Sequence, residues 1–468
     1  MAVRVVPASG GSVGEQAGWH ALADLAGGGT PELYLTGRRA PRRRLASTPS
    51  GRGARTGRRL LIYTQDGLGL GHLRRASSLA SEFLAGDDAG SVLTISDSPL
   101  GSLIRDVAHH DYLKLPSIVK TGPGDWHPHA LPMTIREVLR LRSRLILNAA
   151  TAFRPDVLLV DHMPHGALGE LMPTLDALRD SPTRMVLGVR DIIDDPAVVQ
   201  RRWHSEGAYE ALATYYDQVL VYGSSDVFDL PNAYAWPDEL MRMVRFCGYV
   251  CTPAPVVRRR LAAPRLGLEP RGSMVVAMAG GGADAHALMS ALVDAVPDIC
   301  AAHPCTFVVV TGPFMPEADR RDLKRRAAGL PVRIRTMVGD PMRYVAAADL
   351  VVAMAGYNTT VEVLRVGTPA LLVPRRGPSA EQRMRARAFA ARGWVSQLDP
   401  DDLEPGRLAN GVLRALAGGR ATVGAPPDLS GVARAASALH AAALASRATV
   451  TSRRPPIVAA LPGGQVVG

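Results

Sequence analysis

The residues Asp66 to Arg75 read DGLGLGHLRR, after the apolar run LLIYT and before the amphipathic stretch HLRRASSLASEFL. Strand, glycine loop, histidine and helix in that order put His72 where an imidazole can serve as a general base. Gly67, Gly69 and Gly71 would let the backbone turn tightly and approach a ligand, with helix amides facing negative charge beyond them. The glycines do not spell the full dinucleotide fingerprint. A helix-start histidine that only hydrogen-bonds locally is the plainer alternative, and spacing alone does not choose between the two.

A second glycine loop, AGGGADAH, runs from Ala279 to His286. Gly280, Gly281 and Gly282 follow an apolar run, and Ala283 and Asp284 open a helix. Either Asp284 caps that helix, or the loop amides face a diphosphate. A Walker loop is excluded, because no Lys-Ser or Lys-Thr follows the glycines. A third stretch, AMAGYNTTVEVLRVGTPALLVPRRGPSAEQRMRARAFAARG, runs from Ala353 to Gly393. A strand ends at Ala355 and Gly356. A helix starting near Thr359 carries Glu362 in its first turn, where an anion is favoured. Another strand ends at Pro374, and Ser379 to Arg385 open the next helix. Acceptors at these adjacent strand ends could hold ribose and sugar hydroxyls.

Further candidates sit at strand ends of the first half. VDHMPHG places Asp161, His162 and His165, and GVRDIIDDP places Arg190 and Asp191. GPGDWHPHALP, 122–132, with Trp126, His127 and His129, reads as a polar acceptor loop. The four histidines match no familiar ligand spacing, so no metal is expected. Helix amides can neutralise a diphosphate without a metal.

The elements that must position these residues follow from the apolar runs. These fall at 59–64, 91–96, 112–116, 156–161, 184–190, 218–223 and 244–250. They resume at 273–280, 305–312, 332–337, 349–356, 368–374 and 394–398. Helix-like segments such as 133–153 separate most of them, which predicts βαβ units and parallel sheets. The expected fold is α/β, with two Rossmann-like, doubly wound domains facing a cleft. Their bounds are 59–250 and 273–420, joined by a Pro- and Arg-rich linker at 251–272. A plausible helix at 430–446 and a loose tail complete the stretch 421–468.

The chain has 468 residues, is 47 % apolar and carries a net charge of +11. The charge lies in the tails. Residues 1–59 hold ten Arg against three acids, and 447–468 hold three Arg and no acid. The body is left near neutral, which argues against a nucleic-acid groove. Residues 1–58 read as a disordered, self-repelling Arg-rich arm, with attraction to anionic headgroups as its functional reading. The first 59 residues offer no long apolar h-region, and no run approaches the roughly 18–20 apolar residues of a membrane span. The four cysteines read as reduced. The expected location is cytoplasmic, with peripheral contact at the inner face of the membrane.

The arrangement resembles the two-Rossmann-domain (GT-B) glycosyltransferases, especially family 28, over roughly 60–420. The resemblance is strongest at AGYNTTVEVLRVGTPALLVP followed by EQRMRA. By that resemblance Glu362 would bind the ribose of a UDP moiety. Thr359 and Thr360, with Gly280 to Gly282, would line the diphosphate, and Glu381 and Gln382 would reach the sugar. Asp284, Gly356 and Asn358 fall inside the same donor motifs. The family often has Gln-Gln and then Asn-Ala; this chain has Glu381-Gln382 and Arg385-Ala386. His72 answers to the family's base or acceptor-positioning histidine. Asp161 and His162 would assist it, and Gly69, Gly71, Arg190 and Asp191 would form the acceptor side.

The function so implied is inverting, metal-independent transfer of a hexose or N-acetylhexosamine from a UDP-sugar, needing no cofactor, to a lipid-linked or small-molecule acceptor. DGLGLGHLRR is closest to an uncharacterised group of predicted bacterial glycosyltransferases. The same loop is similar to the GxGHxxR loop of UDP-sugar hydrolases, where His72 would activate water. A sugar epimerase of related architecture and a non-catalytic nucleotide-sugar binder are the remaining alternatives.

Overall fold

The computed structural model describes residues 57–65, 71–99, 107–122, 125–253, 272–418 and 427–448. Most of the Arg-rich arm, Gly69, most of the expected linker and the last twenty residues lie outside them.

The apolar runs are strands of two parallel sheets. The first is built from β1 (Arg59–Thr64), β2 (Ser91–Ser96), β3 (His110–Lys114), β6 (Val157–Asp161), β7 (Arg184–Arg190), β8 (Gln218–Tyr222) and β9 (Val244–Phe246). Their spatial order is β3-β2-β1-β6-β7-β8-β9. The second is built from β10 (Ser273–Met278), β11 (Cys305–Val310), β12 (Val332–Arg335), β13 (Leu350–Ala353), β14 (Ala370–Leu372) and β15 (Ser396–Gln397). Its order is β12-β11-β10-β13-β14-β15. Strands such as β6 and β11 are buried along their whole length. That explains their continuous Val and Leu: both faces are covered by helices.

Both orders reverse direction once. In the first sheet the chain moves outward from β1 to β3, then returns to β6 on the other side of β1. The second sheet does the same between β10 and β13. Such switch points open a crevice outside the carboxyl ends of the strands. His72 follows β1 and Asp161 ends β6; Gly280 follows β10 and Gly356 follows β13. The candidate residues therefore gather at two switch points.

The polar insertion at 122–132 is not simply a loop. Its first half contains β5 (Asp125–Pro128), which pairs antiparallel with the preceding β4 (Ile118–Gly122), Val119 opposite His127. The next helix, Ile135–Phe153, begins at Thr134, whose hydroxyl accepts from Glu137 N while the Glu137 side chain accepts from Thr134 N. That reciprocal cap explains the sharp start.

One apolar core runs through both sheets. Leu60, Ile62 and Tyr222 of the first share it with Val276, Val351 and Leu372 of the second, through Tyr249, Tyr357 and Phe389. The helix Gly431–Ala448 returns to the first domain, and His440 stacks on Phe83 at 4.2 Å between centroids. Arg447 pairs with Asp156 at 2.9 Å. The cysteines are free; burial pushes the Cys247 thiol up to about 11 and Cys251 up to about 12, so neither is a ready nucleophile.

Candidate active site at the two switch points

His72 lies in the first turn of the helix Gly71–Ala85, with its side chain 16 % exposed. Its Nδ1 is 2.9 Å from Asp161 Oδ2. Arg75, one helical turn on, donates to both Asp161 oxygens at 2.9 and 2.8 Å. Burial alone would push the Asp161 carboxyl up. The Arg75 guanidinium and His72 override it and hold the group well below the usual carboxylate range. With its proton on Nδ1, His72 donates to the ionised Asp161 and keeps the Nε2 lone pair for an incoming proton; with Nδ1 bare, it would accept there from Arg75 Nη2, also 2.9 Å away. Arg75 also lies over the rings of Tyr222 and Tyr357, at 5.3 and 5.5 Å.

His162 follows, at φ 84°, a backbone region that non-glycine residues seldom occupy. Its ring is 5.4 Å from that of His72. Burial, with Arg190 and His72 beside it, holds its imidazolium well below its usual range, so the ring is neutral. Its Nδ1 is buried without a hydrogen-bond partner among the described residues. His165, by contrast, is buried and meets Gly166 O, at 2.9 Å. Among the described residues no group of three His, Cys, Asp or Glu is placed to hold a metal.

The donor half departs from the sequence reading at several points. The helix after β10 starts at His286 with Ala285 as its cap residue and no side-chain cap. Asp284 is not the cap; it faces Arg375 at 3.3 Å. Gly282 is held by neighbouring backbone: at φ 89° a Cβ there would lie 1.9 Å from Thr311 O. Gly280 has φ 61° and open space in front of it. Gly282→Ala is therefore expected to destabilise the second domain by at least about 2 kcal/mol, through strain and clash. Gly280→Ala should cost about 1 kcal/mol. Thermal melts of the two variants test the order.

The helix after β13 is Tyr357–Val366, capped by Gly356 without a side-chain bond. It begins two residues earlier than expected, so Glu362 sits in its second turn, and the helix-end field does not account for it. Thr360 is fully buried and donates to Gly356 O at 2.8 Å, so its hydroxyl serves the helix rather than a ligand. Thr359 is half-buried. Glu362 is 5 % exposed and pairs with Arg74 of the first domain. Burial pushes its carboxyl up against the pull of Arg74. Its Oε2 has no hydrogen-bond partner among the described residues. Asn358 Nδ2 donates to Gly71 O at 3.0 Å, which brings the two switch points together.

The helix Glu381–Ala390 makes the second cross-domain seam. Glu381 pairs with Arg190 at 2.8 Å, and Gln382 accepts from Arg375 N at 3.1 Å. Ala380 N donates to Asp194 at 2.7 Å. Asp191, expected on the acceptor side, is 2 % exposed and takes both arms of Arg385, at 2.9 and 2.6 Å. The unusual Arg385 thus has its partner in Asp191: a buried guanidinium requires a buried carboxylate. Sequence reasoning gave no role to Arg74, Arg75 or Arg385. The spacing of His72 and Arg75, one turn apart in a helix, was the available signal for Arg75.

Residues 275–432 match the model of the glycosyltransferase family 28 C-terminal domain. The UDP-N-acetylglucosamine–N-acetylmuramyl-(pentapeptide) pyrophosphoryl-undecaprenol N-acetylglucosamine transferase of Moorella thermoacetica is 28 % identical over 217 residues, 42 % of this chain and 58 % of that one. The enzyme of the same name from Mycobacterium tuberculosis is 33 % identical over 190 residues, 38 % of this chain and 45 % of that one. The chain thus spans about half the length of the curated relatives it matches. Among solved structures, the calicheamicin glycosyltransferase superposes with a TM-score of 0.50 at 17 % identity, covering 83 % of this chain and 95 % of that one. A putative UDP-N-acetylglucosamine 2-epimerase from Listeria monocytogenes gives 0.55 at 12 %, covering 86 % and 99 %. At such identities the likeness is one of fold. The chain thus shares the two-Rossmann-domain fold of these structures, and residues 275–432 match the glycosyltransferase family 28 C-terminal domain.

Proposed function

We propose that the protein is an inverting, metal-independent glycosyltransferase that moves a hexose or N-acetylhexosamine from a UDP-sugar to an acceptor hydroxyl. The observation that carries this reading is the His72–Asp161 pair at one switch point, joined through Gly71 and Arg74 to Asn358 and Glu362 at the other. The acceptor oxygen attacks the anomeric carbon and its proton passes to His72 Nε2. The bond from that carbon to the phosphate oxygen breaks, and the electron pair leaves on the nucleoside diphosphate. One such displacement inverts the anomeric centre. Asp161 fixes the tautomer and offsets the imidazolium that forms. The helices beginning at His286 and Tyr357 have no side-chain caps, so their first amides can offset the charge on the leaving group. Glu362 Oε2 suits a ribose hydroxyl, and Glu381 and Gln382 suit the sugar.

The relatives' names describe transfer onto an undecaprenol-linked acceptor. An exposed strip on the first domain supports an acceptor of that class here. Leu131, Met133 and Leu141 are 39, 37 and 37 % exposed. Arg136, Arg140 and Arg144, on the same helix as Leu141, are exposed as well. Apolar and cationic side chains together suit an anionic lipid surface. We place the protein at the cytoplasmic face of the membrane on that ground; no described helix is long and apolar enough to cross one.

The test is a donor screen. Purified full-length protein is incubated with a panel of nucleotide sugars, with and without a lipid extract, and nucleoside diphosphate and free sugar are measured. UDP released only in the presence of extract is the expected result. UDP and free sugar released in equal amounts from the donor alone would move the assignment to a hydrolase.

A further inference from the structure

Glu362 is 5 % exposed, yet one of its oxygens has no hydrogen-bond partner among the described residues and the other meets an arginine from the opposite domain. The side chain of Arg74 is 38 % exposed. The pair is buried on the carboxylate side and open to water on the arginine side, so the guanidinium can move to a ligand through solvent without being drawn out of the core. The arrangement repeats one strand over. Glu381 is also 5 % exposed and also pairs with a first-domain arginine: Arg190 meets its Oε2 at 2.8 Å, while Arg375 of its own domain lies 3.5 Å from Oε1. Both carboxylates lie on helices that start without a side-chain cap.

We infer that Arg74 is a diphosphate-binding residue that pairs with Glu362 only until a donor arrives. The inference rests on the donor-site reading above. A nucleoside diphosphate brings hydroxyls and two negative charges. The hydroxyls donate to Glu362, which no longer needs the guanidinium. Arg74, on the helix that also carries His72, then turns to the phosphate oxygens at the mouth of the uncapped helices. A planar guanidinium suits that task, because its paired N–H groups match two phosphate oxygens. The exchange places a cation from the acceptor domain on the leaving group, so donor binding itself draws the base toward the anomeric carbon.

Exchange makes a prediction that a merely structural ion pair does not. Removing Arg74 frees Glu362 for ribose while taking a cation from the phosphates. A nucleoside and its diphosphate must therefore respond in opposite directions. In isothermal titrations of the full chain, Arg74→Met should weaken UDP at least roughly ten-fold, the loss of one charge-assisted hydrogen bond. The same variant should bind uridine several-fold more tightly than wild type. Arg74→Lys should restore much of the UDP affinity. Thermal melts confirm that the variants are folded, as expected for a side chain this exposed. If UDP and uridine both weaken, or neither changes, the exchange is wrong while the donor site stands. If wild type binds neither UDP nor uridine, the donor-site reading falls and the exchange with it.

Discussion

His72→Ala is expected to lower the rate of glycosyl transfer by roughly 10²–10⁴, the usual worth of a general base. Donor affinity should change little, because His72 is bonded to Asp161 and not to the donor-side carboxylates. Asp161→Asn should lose rate as well, since a neutral amide no longer fixes the tautomer or offsets the imidazolium. It should also melt lower, because it leaves the buried Arg75 without its carboxylate. The pH dependence of that difference has a definite sign. The Asp161 carboxyl titrates lower in the fold than in the unfolded chain, so its stabilisation is complete above the unfolded value of about 4. It is lost only as pH falls through the lower folded value. Wild type and Asp161→Asn should therefore differ most at neutral pH and converge in acid. Full transfer activity in His72→Ala would remove the base assignment. His162→Ala is the useful control: it deletes a neutral neighbour and should leave the proton acceptor in place.

The largest loss of stability is expected at Arg142. Its side chain is fully buried, as is that of Glu170. The guanidinium meets both Glu170 oxygens at 2.6 Å and Asp97 at 3.1 Å. Tyr63 donates to Glu170 at 2.5 Å and accepts from Ala167 N at 3.1 Å. Four segments meet there: the ends of β1 and β2, the turn after β6 and the helix Ile135–Phe153. Arg142→Met fills similar space but leaves the buried Glu170 without its cation and takes one cation from the buried Asp97. The expected cost is about 3–5 kcal/mol, a fall of several degrees or more in melting temperature. Adding Glu170→Gln to Arg142→Met should recover part of it, because one stranded charge goes. Thermal and urea unfolding of the single and double variants measure both effects, and a double variant no more stable than the single would refute the account.

Much of the fold was legible because fully buried parallel strands write themselves as short Val- and Leu-rich runs. The expected run at 184–190 and β7 coincide, as do 91–96 and β2. Glycine loops after two of those runs marked the positions of His72 and Gly280. What was illegible is what spacing does not encode. Strand order is set by packing, so the two switch points appear only in three dimensions. Arg74 and Glu362 are 288 residues apart in the chain, and Arg385 and Asp191 are 194 apart. Nothing local at either end announces the other. Thr360 was expected at the diphosphate by the family resemblance, yet a helical threonine can spend its hydroxyl on the carbonyl four residues back. Gly282 looked like a phosphate glycine, and the carbonyl of Thr311 is what requires it.

The return of the helix Gly431–Ala448 to the first domain bears on how the protein is made. Leu79 and Phe83 of the helix Gly71–Ala85 share a core cluster with Ala435, Leu439 and Ala443. Tyr249 N also bonds to Asp428 O, at 2.7 Å. A ribosome delivering roughly 5–20 residues per second finishes the first sheet many seconds before it delivers the helix that covers Phe83. Through that interval the nascent first domain exposes an apolar helix face, and the second domain must fold inside the waiting gap. The order of synthesis is thus not the order of completion: the domain begun first is sealed last. A chain stopped at residue 426 should behave as an unfinished domain that binds holdase chaperones, rather than as an intact enzyme without its tail.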